Sequence, residues 1–106
     1  MKKRSFLLLS MFVILSKAIS AANYDIEVDG IYYKYVDDVP QKALTIVSGD
    51  KKYEGDIIIP SVVKVNNVEY TVLRIDKAFE HCTSLTSVVI PNTVDIIFSY
   101  SFNSCI

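Results

Sequence analysis

The sequence predicts a β-rich repeat solenoid, with short irregular or helical turns between its strands and a β cap on its N-terminal side. Three observations carry that expectation. Ile57-Ile58-Ile59-Pro60 returns 31 residues later as Val88-Val89-Ile90-Pro91, and Phe79 with Cys82 returns 23 residues later as Phe102 with Cys105. The stretch before these repeats alternates apolar and polar residues in short runs broken by Asp-Gly and Gly-Asp, which is the period and punctuation of strands. Self-similarity at fixed spacing outranks local propensity in choosing a fold, because a repeat unit buries its apolar face only against its neighbour.

Residues 1–22 read as a signal peptide. Lys2, Lys3 and Arg4 form a basic start, Phe6 to Leu15 is an apolar run of ten residues, and Ser20-Ala21-Ala22 places small residues where a signal peptidase cuts. Ten helical residues reach only about 15 Å, half of a ~30 Å hydrocarbon core, so the run is too short to span a membrane. Cleavage before Asn23 is expected, with export to the cell surface, the periplasm or the extracellular space. Four of the eleven basic residues leave with this segment while all twelve acidic residues stay, so the remaining 84 residues carry seven basic against twelve acidic side chains, a net charge of −5. Nucleic acid and anionic membranes call for a clustered positive surface, which this balance argues against.

Residues 23–53 are expected to form the cap. Ile26–Val28 and Ile31–Val36 flank Asp29-Gly30, a two-residue signal for a tight type I′ hairpin turn. Residues 42–48 (KALTIVS) read as a third strand and residues 56–59 (DIII) as a fourth, closed by Pro60. Alternation places Ile31, Tyr33 and Tyr35 on one face and Tyr32 with Lys34 on the other, so Tyr33 and Tyr35 are expected in the core.

Residues 54–106 carry the repeats, the last of them incomplete. The two spacings differ by eight residues, an insertion that falls at residues 63–72 (VKVNNVEYTV), where Asn66-Asn67 between strand formers predicts a small hairpin. The underlying unit of 23 residues lies in the range of leucine-rich repeats, each coil giving one strand and a turn. Val88 and Ile90 then point inward, and Val94, Ile97 and Phe102 stack on Val72, Ile75 and Phe79. Asp56 and Ile58 in one coil, with Ser87 and Val89 in the next, form an outward face and the candidate binding residues.

The run from Leu85 to Cys105, with Leu85, Val88, Ile90-Pro91, Val94, Ile97, Ser101-Phe102 and Cys105 in register, resembles the BspA-like leucine-rich-repeat family of bacterial surface proteins. The N-terminal YEGDIIIP and VEYTVLRIDKAF resemble the way such arrays begin. That resemblance implies an exported, non-enzymatic, adhesin-like module that binds a protein on a host or neighbouring cell. Asp76 and Phe98 stand where the family has glycine, which predicts remodelled turns there. A solenoid of this type needs several units and a polar end cap. The expectation is therefore either a truncated or vestigial fragment without its own ligand, or self-association through an uncapped C-terminal coil.

Catalytic and cofactor chemistry finds little footing. His81 adjoins Cys82, but the repeat turns Cys82 inward and His81 outward, and no third orienting group is indicated. Two cysteines and one histidine fall short of a structural zinc set, and glycines at 30, 49 and 55 form no phosphate-binding loop. No catalytic, metal or cofactor residue is expected. Cys82 and Cys105 are expected as buried thiols stacked in a ladder, with a disulfide between coils as the alternative.

Overall fold

The computed structural model describes residues 23–104; the signal-peptide expectation and Cys105 lie outside them. Eight strands follow one another: β1 (Ile26–Val28), β2 (Ile31–Val36), β3 (Ala43–Val47), β4 (Gly55–Ile58), β5 (Val62–Val65), β6 (Val68–Ile75), β7 (Leu85–Val89) and β8 (Ile96–Ile97). Both predicted hairpins form. Asp29 and Gly30 have φ of 52° and 84°, and Asn66 and Asn67 have φ of 52° and 66°, the left-handed pairs that a type I′ turn requires.

The arrangement of these strands overturns the elongated solenoid. Among the described residues there is no helix, and the chain forms a compact β-rich domain around a sheet curled into a half-barrel. Its order is β1-β2-β3-β6-β5, with β8 continuing beside β6, while β4 and β7 make a separate pair. A solenoid would stack one parallel strand per coil into a single sheet. Here β1, β2 and β3 run antiparallel in turn, and so do β5 and β6. The eight-residue insertion supplies the physical reason. It folds as the β5–β6 hairpin, which lengthens β6 to eight residues and lays it in parallel along β3. The N-terminal strands and the repeat-like segment thereby share one core.

Local stacking from the repeat survives inside this globule. Ile57 pairs with Val88 and Ile58 with Val89 in parallel, at the spacing of 31 read from the sequence. Ile75 pairs with Ile97. The turns also repeat: Lys77 and Tyr100 have φ of 56° and 68°, and His81 and Ser104 have 62° and 60°, both pairs 23 residues apart. The left-handed residues are thus Lys77 and Tyr100, not Asp76 and Phe98, so the bulky side chains at the latter two positions meet no backbone strain. Hydrogen bonds from Phe79 N–H to Ser101 O (2.9 Å) and from His81 N–H to Asn103 O (2.8 Å) bind one turn upon the other.

The core is centred on Leu44, Ile46, Val72, Ile75 and Phe79, all fully buried. Running through it is a file of aromatic rings. Tyr24 touches Tyr32 (4.7 Å between centroids), Tyr32 touches Tyr53 (5.9 Å), Tyr53 touches Phe79 (4.9 Å) and Phe79 stacks on Phe102 (5.2 Å). This file corrects the tyrosine expectation. Tyr33 is buried as expected, yet Tyr32 is buried too and Tyr35 is exposed. Curling of the sheet closes both faces of β2 at its start, where Tyr24 and Tyr53 cover Tyr32, while Tyr35 sits at the open end against Tyr70.

Candidate functional site

The four residues singled out from the sequence come together on the β4–β7 pair. Asp56 lies opposite Ser87 and Ile58 opposite Val89. Alternation along the strands turns Ile57 and Val88 toward the core and leaves Ile58 and Val89 outside, 72% and 56% exposed. Two adjacent branched aliphatic side chains therefore stand in solvent beside one carboxylate.

That carboxylate is held in place. Thr86 and Ser87 both donate their hydroxyls to Asp56 Oδ1, at 2.6 and 2.7 Å. Hydrogen bonds to the charged form favour it, so Thr86 first and Ser87 second lower the Asp56 pKa below its ordinary 3.8. Thr86 is the member that sequence reasoning missed. In a regular strand it would project away from Ser87, but the pairing register shifts between Gly55 and Asp56 and brings both hydroxyls to one oxygen. An irregularity of that kind leaves no mark in hydrophobic period.

Arrangements for other chemistry are not assembled here. His81 is exposed while Cys82 is buried, with its Sγ 3.9 Å from the Ala78 carbonyl, so the adjacent side chains diverge. The His81 ring faces Glu80 at 3.8 Å. Among the described residues no cluster of three or more His, Cys, Asp or Glu is placed to hold a metal ion, and no helix is long and apolar enough to cross a membrane.

Compared with known proteins, the chain matches no family model, no curated protein and no solved structure.

Proposed function

We propose that this chain is an exported, non-enzymatic binding module that engages a protein on a host or neighbouring cell through the outer face of β4 and β7. The observation that carries the reading is the adjacency of exposed Ile58 and Val89 to the anchored Asp56 carboxylate. Exposed aliphatic side chains supply area for burial, and a charge fixed by two hydroxyls loses little freedom when a partner docks. Further support comes from the basic and apolar leader at residues 1–22 and from the run at residues 85–105, whose likeness to BspA-like repeats suggests adhesion. Divergence of His81 and Cys82 favours binding over covalent catalysis.

Adherence of the labelled chain, residues 23–106, to intact cells tests this. The Ile58→Asp/Val89→Asp variant should bind roughly tenfold more weakly or worse, because it replaces buried aliphatic contact with unpaired charge. Lys34→Glu, on β2 and lining a different part of the surface from Ile58 and Val89, should bind as the parent does. Equal binding by the face variant, or no saturable binding by the parent chain, would remove the proposal.

A further inference from the structure

The hydroxyl of Tyr33 differs from those of the other two buried tyrosines. Tyr32 OH accepts from Lys51 N–H, and Tyr53 OH donates to Val47 O while accepting from Tyr32 N–H. Tyr33, in β2, is only 1% exposed, and no group among the described residues hydrogen-bonds its hydroxyl. A phenol this deeply buried ordinarily has a partner, because a polar group taken out of water without one is costly.

The same side chain lines a cavity. Where the β1–β2 hairpin faces the connection from β4 to β5, Tyr33 joins Val28, Ile31, Ile58, Val62 and Val63 around a space of about 390 Å³. The little of Tyr33 that stays open includes its hydroxyl, which therefore reaches this space. Such a volume lies in the range of small-molecule sites, roughly 300–1,000 Å³, and apolar walls with one inward polar group are their usual composition.

Charge narrows what fits. Burial, with the Asp29 charge adding to it, pushes the Tyr33 phenol up to about 12, so at neutral pH the hydroxyl is protonated and donates. A carboxylate beside it would meet the same burial and the same negative charge. Exposed Asp29 and exposed Lys64 both stand at the rim, one charge of each sign, so neither an anion nor a cation is favoured at the mouth.

We propose that this cavity binds a small uncharged aliphatic molecule, cyclic or branched, whose carbonyl oxygen accepts a hydrogen bond from the Tyr33 hydroxyl. The apolar body takes Val28, Ile31, Val62 and Val63 out of water, and the oxygen supplies the bond that no neighbouring side chain makes. The inference does not depend on protein binding by the outer face of β4 and β7, with which the cavity shares only Ile58.

Cyclohexanone is a probe of this class, methylcyclohexane offers a similar shape without the oxygen, and cyclohexanecarboxylate adds a charge. Titrated into residues 23–106, cyclohexanone should shift the methyl resonances of Val28, Ile31 and Val63 saturably, and the carboxylate should bind roughly tenfold more weakly or worse. Tyr33→Phe keeps the ring and removes the hydroxyl. It should lower the affinity for cyclohexanone, relative to that for methylcyclohexane, roughly tenfold, and leave the melting temperature of the ligand-free chain unchanged or higher. If that variant fails to fold, Val62→Trp, at a position 45% exposed, should fill the cavity and weaken both uncharged probes. No saturable shift with cyclohexanone, shifts confined to residues outside the cavity, an unchanged affinity ratio in Tyr33→Phe, tighter binding of the carboxylate, or binding indifferent to Val62→Trp would each overturn the proposal.

Discussion

Phe79 and Phe102 stack with centroids 5.2 Å apart and planes 14° from parallel, yet Phe79 is fully buried while Phe102 is 39% exposed. The two rings occupy equivalent places in the repeat and unequal places in the fold. Phe79 has Tyr53 on its other side, and Phe102 has solvent.

That inequality predicts an asymmetric response to truncation. Phe79→Ala should cost about 3–5 kcal/mol, since it removes a ring from the centre of the core and leaves a cavity. Phe102→Ala should cost about 1 kcal/mol, because only one face of the ring is out of water. Urea denaturation of the two variants measures the difference. Comparable losses would mean that the two turns contribute equally.

Ser101 is a second point of contact between the same turns, and it is buried. Its Oγ accepts from Lys77 N–H at 3.0 Å and lies 2.7 Å from Phe98 O and 3.2 Å from Ile75 O, to which its hydroxyl donates. Ser101→Ala should destabilise the domain by about 1–3 kcal/mol, as the Lys77 donor loses its partner in a part-buried site. Its effect should centre on the left-handed turn at Lys77, visible as faster amide exchange there.

Local pieces of this architecture were legible in the sequence, whereas the overall arrangement was not, because it depends on how the strands assemble. Ile57 beside Val88, Phe79 on Phe102 and the turns at Asp29-Gly30 and Asn66-Asn67 follow from recurrence and turn chemistry, which are local signals. The solenoid expectation failed because the pairing of β3 with β6 joins residues about 28 positions apart, as in Leu44 with Val72, and no repeat marks it. The outer face was readable by alternation alone, whereas Thr86 entered through a register shift that alternation does not encode. Exposure of Tyr35 and burial of Tyr32 likewise depend on where the sheet curls, a property of the assembled strands.

Alkaline pH should unfold this domain earlier than its carboxylates and lysines alone would suggest. Burial pushes the Tyr33 phenol up from 10.0 to about 12, with the Asp29 charge adding to the shift, and burial pushes Tyr53 up further despite the hydrogen bond from Tyr32 N–H. A raised pKa in the folded state means that the stabilising contribution is complete below pH 10 and is lost as pH rises toward 12. Thermal melts should fall across that window. Tyr53→Phe should flatten the decline while lowering stability at neutral pH by about 1–3 kcal/mol, because Tyr53 OH donates to Val47 O (2.8 Å) and accepts from Tyr32 N–H (2.9 Å) in a buried site. A melt profile unchanged in slope would show that the two phenols do not govern the transition.

Gly49 is required by space and not by backbone conformation. A Cβ built at Gly49 would overlap the ring carbons of Tyr32, far inside van der Waals contact. Tyr32 has little room to retreat: Tyr24 and Tyr53 flank its ring, and its hydroxyl accepts from Lys51 N–H at 3.2 Å. Gly49→Ala should therefore destabilise by about 1–3 kcal/mol through overpacking, against the usual gain from replacing a flexible glycine. The paired change Gly49→Ala/Tyr32→Leu relieves the overlap, so the cost of adding alanine should shrink when Tyr32→Leu is already present, and a double-mutant cycle measures that coupling. Additive losses would place the strain of Gly49→Ala elsewhere than on the Tyr32 ring.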